Sequence, residues 1–242
     1  MIKVRDLSKS FSNKKILNNI SFDILNGDSI AIIGQSGTGK SVLLKHLNGL
    51  LKPDSGQVSV NNVMINNVSY NELQNIRKKM AMVFQFGALF DSMNVEDNIA
   101  LAIKSLTNLS NKNIANRIDK SLDLVKLSNV KHLMPSEISG GMKKRVGIAR
   151  AIAINPEYIM YDEPTTGLDP ITTDKINKLI KKVSDKKKVT SIVVTHDMKT
   201  LKVASNKVIM LHEGNIIFND KTELLFKSND SFIKYFVSGE SQ

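Results

Sequence analysis

Gly34-Gln35-Ser36-Gly37-Thr38-Gly39-Lys40-Ser41 is the stretch on which the reading of this chain turns. It has the pattern G-x-x-x-x-G-K-[ST], and each residue type has a physical reason to be there. Glycines let successive backbone N–H groups converge on phosphate oxygens without a Cβ in the way. The helix expected next, with Val42, Leu43, Leu44 and Leu47 at helical spacing, points its positive end at the same oxygens. Lys40 reaches the β- and γ-phosphates as a compact charge, and the Ser41 hydroxyl can ligate Mg²⁺. A mere glycine-rich turn would lack this setting, since the stretch follows an apolar run, Ser29–Ile33, that reads as a strand. Residues 34–41 are therefore read as a nucleotide site, with Gln35, Ser36 and Thr38 inside the cradle.

Such a cradle needs an acidic partner on a neighbouring strand. Tyr158-Ile159-Met160-Tyr161-Asp162-Glu163 supplies one, with its carboxylates at the strand's carboxyl end, where α/β sheets bind ligands. Asp162 is placed to hold Mg²⁺, and Glu163 to polarise the attacking water as general base. Asp162-Glu163-Pro164 alone would read as an acidic turn; beside the cradle the catalytic reading wins. Further strands are expected at 79–84 and 191–195, alternating with helical patterns such as Ile176, Leu179, Ile180 and Val183. That rhythm belongs to an α/β protein with parallel strands. Residues 86–155 break it and read as a helical insertion, with Ile114, Ile118, Leu122 and Val125 on one helix face. The run Lys186-Lys187-Lys188, between two apolar segments, reads as a loop.

Composition bounds the remaining choices. The chain has 242 residues, 41% of them hydrophobic, which suits one large domain or two small ones and excludes a disordered or fibrous chain. It has no cysteine, so disulfides, thiolate catalysis and cysteine metal sites are ruled out. Its apolar runs fall far short of the ~20 residues that cross a bilayer. Met-Ile-Lys-Val-Arg-Asp at the start lacks a signal peptide's apolar core, so the protein is expected to stay in the compartment where it is made. The formal net charge is +11, from 34 basic and 23 acidic residues. A positive field can draw nucleic acid or an anionic surface. Five arginines among the basic residues, and 5% aromatics, fit lysine-rich solvated faces better than a nucleic-acid reader.

Other motifs then carry a family resemblance. Ser139-Gly140-Gly141-Met142, 23 residues before Asp162, opens a helical stretch that includes Gly-Ile-Ala-Arg-Ala-Ile-Ala at 147–153. With Gln85, Leu168-Asp169 and His196 in order, the whole chain resembles the ATP-binding-cassette ATPases. The resemblance makes residues 139–142 the signature motif, Gln85 the Q-loop with a part in Mg²⁺ binding and catalysis, Asp169 the D-loop and His196 the switch histidine. Phe11 falls where the family stacks an aromatic on adenine. The fold implied is a P-loop (RecA-like) core, 1–85 and 156–225, with an N-terminal antiparallel β subdomain. The helical signature subdomain is 86–155, and 226–242 is a C-terminal tail. The signature departs from the common Leu-Ser-Gly-Gly-Gln at Ile138 and Met142. Met142 cannot hydrogen-bond as Gln would, but the Ser139 hydroxyl and the Gly140 and Gly141 amides remain for the γ-phosphate.

The mechanism implied is a head-to-tail homodimer with ATP and Mg²⁺ between the P-loop of one copy and residues 139–142 of the other. Coiled-coil chromosome ATPases are excluded by the 120-odd residues from Lys40 to Asp162, and two-cassette translation factors by the single cassette. The stretch Phe84-Gln85-Phe86-Gly87-Ala88-Leu89-Phe90-Asp91-Ser92-Met93-Asn94-Val95 is similar to the Mla-type phospholipid-transport ATPases. So are Leu133-Met134-Pro135-Ser136-Glu137 and Asp169-Pro170-Ile171-Thr172, whereas Thr165-Thr166-Gly167-Leu168 is similar to general import cassettes. The lipid resemblance implies separate permease subunits, a mammalian-cell-entry-type substrate-binding protein and a small STAS-domain subunit, at the cytoplasmic face of a bacterial inner membrane. An amino-acid-type importer is the alternative, and a soluble nucleic-acid-linked ATPase the alternative of another class. Phe86, Leu89, Phe90 and Met93, some of them exposed, form the expected docking surface for the permease.

Overall fold

The computed structural model describes residues 1–239. From the N-terminus come strands β1 (Ile2–Phe11), β2 (Lys14–Ile24) and β3 (Ser29–Ile33), then helix α1 (Lys40–Leu47). Strands β4 (Ser55–Val60) and β5 (Val63–Met64), helix α2 (Tyr70–Arg77) and strand β6 (Met80–Val83) follow. The middle is helical: α3 (Val95–Leu106), α4 (Asn111–Leu124), a 3₁₀ turn (Pro135–Glu137) and α5 (Gly140–Ala153). Then come β7 (Tyr158–Asp162), α6 (Pro170–Lys187), β8 (Thr190–Val194), α7 (Met198–Ala204), β9 (Lys207–His212) and β10 (Asn215–Lys221). Two short helices close the described chain, α8 (Thr222–Leu225) and α9 (Ser231–Ser238).

The strands make two sheets. One is antiparallel in the order β2-β1-β4-β5; the other, β10-β9-β3-β8-β7-β6, is parallel except for β10 at its edge. The parallel strands read as unbroken apolar runs because both their faces are buried. In β3, Ile30 and Ile32 pack toward the antiparallel sheet, while Ala31 and Ile33 pack against α7 and the C-terminal helices. In β7, Tyr158 and Met160 face the antiparallel sheet, and Ile159 and Tyr161 face a core built from α3, α4, α5 and α6. The helical insertion is thus joined to the sheet by one continuous apolar core.

Helix ends are set by local chemistry. Asn94 caps α3, its side chain accepting from the Asp97 N–H, with Glu96 and Asp97 in the favourable first turn. Asp169 caps α6 and Pro170 takes its first position. The lysine run at 186–188 is not a loop: α6 continues through Lys187 and ends on Lys188 in a left-handed conformation. Lysine is a good helix former, and the turn begins two residues later than expected, at Lys188. Within the segment expected as a tail, α9 buries Ile233 against the face of β3 that also packs on α7, beside Ala31 and Leu201.

Candidate nucleotide site

The cradle joins β3 to α1. Gly34 has φ +149°, and a Cβ there would lie 2.4 Å from the Leu211 carbonyl oxygen, so only glycine fits. Gly39 sits at the N-cap of α1 with φ 94° and no side-chain cap, leaving the first-turn N–H groups open to an anion. Lys40 is buried, and its Nζ donates to the Gly34 and Gln35 carbonyls, both at 2.9 Å. Burial pulls its ammonium below the ordinary lysine value, against the attraction of the Glu163 and Asp162 carboxylates.

Asp162 ends β7, and its Oδ1 accepts from the Ser41 hydroxyl at 3.0 Å. Burial pushes its carboxyl above the ordinary range; the Ser41 hydrogen bond works against that and the Glu163 charge adds to it. Glu163 follows in the left-handed region, φ 49°. Its N–H donates to the Val194 carbonyl at 3.0 Å, and its Oε2 accepts from the Thr166 hydroxyl at 3.1 Å. His196, just past β8, places Nδ1 3.0 Å from Glu163 Oε1 and 2.9 Å from Oε2. Lys40, Ser41, Glu163, Thr166 and His196 share a cavity of about 590 Å³ with Phe11, Ile16, Val42 and Gln85, and Asp162 sits behind Ser41. Phe11 is 45% exposed at this cavity, with the Lys9 ammonium 5.5 Å from its ring centre.

Among the described residues no group of three or more His, Asp or Glu forms a metal centre. Ser41 and Asp162 nevertheless offer two adjacent hard oxygens, which fits Mg²⁺ completed by phosphate oxygens and water. Gln85 lines the cavity two residues beyond β6.

The structure does not bring every expected residue to this cavity. Ser139 caps α5, its Oγ accepting from the Met142 N–H at 3.2 Å, and both Ser139 and Gly140 are exposed outside the cavity. Gly141 packs on α6, where a Cβ would meet Thr172 Cγ2 at 2.7 Å. Asp169 is likewise outside: its carboxylate accepts from the Ile171 and Thr172 N–H groups, each at 2.9 Å, and Thr172 holds its carboxyl below the usual range. Within one chain, Asp169 is a helix cap.

Four residues gain roles that the sequence did not signal. Thr166 buttresses Glu163, and buried Lys144 donates to the Thr166 carbonyl at 2.5 Å. Arg150 forks onto the Gly87 and Ala88 carbonyls at 2.9 and 2.8 Å. Asn98, fully buried, ties down the 90–94 loop. Only Thr166 had a local clue, three residues from Glu163 in the same turn.

Comparison with known proteins follows the same lines. A family model described as ABC transporter matches residues 17–166. The intermembrane phospholipid transport system ATP-binding protein MlaF of Haemophilus influenzae is 37% identical over 241 residues, covering 100% of this chain and 91% of that protein. The methionine import ATP-binding protein MetN of Clostridium tetani is 38% identical over 240 residues, covering 99% of this chain and 75% of that one. Among solved structures, a dimeric post-hydrolysis ATP-binding cassette bound to ADP and Pi superposes with a TM-score of 0.85 at 31% identity, covering 92% of this chain and 99% of that chain.

Proposed function

The chain belongs to the ABC transporter family and is an ATPase, and from this we propose that it powers phospholipid trafficking through a separate membrane permease. The observation that carries the lipid reading is the segment 84–95. Its sequence is similar to Mla-type ATPases, and it holds Phe86 and Phe90 outward at 76% and 51% exposure. Leu89 and Met93 are half-buried, Leu89 against the helical core, so of the four residues expected at the docking surface Phe86 and Phe90 face outward, with Phe84 also exposed beside them. Exposed aromatic anchors on a hydrogen-bonded segment are what such a subunit needs to grip a partner. No helix among the described residues is long and apolar enough to cross a membrane, so the gripping partner supplies the span.

The catalytic reading assigns each group a task. Lys40 and the 34–41 amides bind the phosphates, and Phe11 packs the adenine. Ser41 and Asp162, with Gln85 at the cavity wall, would hold Mg²⁺, which would supply positive charge against the phosphates. Glu163 takes a proton from the attacking water, and His196 holds that carboxylate in place, so that ATP and water become ADP and phosphate. Ser139, Gly140, Gly141 and Met142 lie on an exposed helix N-terminus outside their own chain's cavity, which supports their acting on the nucleotide of a second, head-to-tail copy, with Asp169 at the same interface.

The 38% identity to a methionine-import ATPase and the Thr165-Thr166-Gly167-Leu168 turn favour a second reading, solute import. Purification of the assembled complex from its native membrane, with identification of partner chains and bound lipid by mass spectrometry, decides between them. Phospholipid together with a mammalian-cell-entry-type protein supports the first. A solute-binding protein with no retained lipid refutes it.

A further inference from the structure

We propose that Lys144 is a positioning residue for hydrolysis, fastening the loop that carries Glu163 to the helix whose N-terminus meets the second nucleotide. The proposal rests on the reading of Glu163 as general base. Lys144 lies five residues past Ser139 on α5, is 5% exposed, and donates from Nζ to the Thr166 carbonyl at 2.5 Å. A buried ammonium is costly to the fold unless it is bonded and near opposite charge, and an apolar side chain of the same length would serve stability as well or better. Something other than stability therefore favours a cation here.

The surroundings show what it holds. Thr166 turns back on Glu163, its N–H 3.4 Å from the Glu163 carbonyl and its hydroxyl 3.1 Å from Oε2. Glu163 is itself in the left-handed backbone region at φ 49°, a conformation that lasts only where neighbours over-determine it. On one side the Val194 carbonyl takes its N–H at 3.0 Å. On the other side Lys144 fixes the far end of the 163–166 turn, and the Glu163 carboxylate also attracts the ammonium, against the desolvation that lowers its proton affinity. Lys144 does not line the nucleotide cavity, so it acts through the loop. Since Ser139 caps the same helix, the ammonium makes one rigid piece of a signature end and a base loop. In a head-to-tail dimer those two belong to different nucleotides, so each site's base would be set by how the helix sits on the other site.

The test measures Lys144→Met, Glu163→Gln and the double variant in the full chain assembled with its permease, using ATP and Mg²⁺. Methionine keeps the length and removes the charge and donor. The expected result is kcat lowered about tenfold to a hundredfold, the cost of misplacing a reacting group by about an ångström. ATP affinity stays within about twofold, because the cradle is untouched, and the melting temperature is unchanged or higher. Combined with Glu163→Gln, the lysine change should lower the residual rate no further, because groups acting as a unit are not additive. A kcat within about twofold of wild type, a rate that falls only in step with the folded fraction, or an equal further loss in the double variant would each overturn the proposal. If Glu163→Gln alone keeps turnover, the base assignment has failed instead, and that outcome is read from a separate protein.

Discussion

Replacing Asn98 by alanine tests how the segment proposed to dock the permease is held. The side chain is fully buried in α3. Its Oδ1 accepts from the Phe90 N–H at 2.8 Å, and its Nδ2 donates to the carbonyls of Phe90, Met93 and Asn94 at 3.1, 2.9 and 3.0 Å. One amide has two hydrogens and one oxygen, so these contacts amount to about three effective bonds. At about 1 kcal/mol net for each, the loss is about 3 kcal/mol, several times what a surface substitution costs. For a chain of this size about 3 kcal/mol lowers the melting temperature by about 6–12 °C. Asn98 does not line the nucleotide cavity, so ATP affinity of the folded fraction should hold within about twofold while permease association weakens. Urea unfolding, calorimetry, nucleotide titration and co-purification of the permease on the same preparation supply the four readouts. A loss below about 1 kcal/mol, or an ATP affinity that drops together with stability, would refute the view that Asn98 serves this loop rather than the whole core.

Three further outcomes are expected. Glu163→Gln should keep ATP binding, lose about 10²–10⁴ in rate and accumulate an ATP-dependent dimer by light scattering; turnover without such a dimer argues against the base assignment. Asp162→Asn should raise the melting temperature of the nucleotide-free protein at neutral pH while abolishing ATP turnover. The sign follows from burial holding the folded carboxyl above its unfolded value, so wild type loses stability as pH rises through that raised value and regains it in acid. The Asn variant should therefore show a flatter stability profile across that window, and an unchanged profile counts against a strained carboxylate. Phe86→Ser and Phe90→Ser should weaken co-purification of the permease at full ATP affinity and near-wild-type stability, since both side chains are at least half exposed; a joint fall in stability and affinity would place them in the core.

Much of this arrangement was legible in the chain because its chemistry demands particular residue types. Backbone approach to phosphate requires glycine at 34 and 39, and a carboxylate at the end of a buried strand has few other reasons to exist. The parallel strands β3, β7 and β8 were visible as apolar runs for the same reason, both faces being covered. The lysine run at 186–188 misled because charge clusters say where solvent is, and a helix face meets solvent as readily as a loop does. Asp169 shows the opposite difficulty. A D-loop aspartate and a helix N-cap have the same sequence signature, and in one chain its hydrogen bonds are those of the cap.

Lys144, Arg150 and Asn98 escaped the sequence for a common reason: each bonds to main-chain carbonyls, which every residue carries and no pattern marks. Two of them lie on α5, a helix of 14 residues and therefore about 21 Å long. At its start Ser139 presents the capped N-terminus; in its second turn Lys144 holds the base loop; near its end Arg150 forks onto the turn behind Phe86. Contact there is close enough that a Cβ on Gly147 would lie 3.2 Å from Gly87 Cα. Arginine suits the last position because two adjacent carbonyls need a planar fork, and lysine the middle one because a single carbonyl needs a point donor. On the proposed reading, a permease pressing on Phe86 and Phe90 meets a segment clamped to the same helix that carries Ser139 and holds the loop of Glu163. Tight packing along that helix leaves little room for one contact to shift without the others, and on the proposed reading this would link permease contact to hydrolysis.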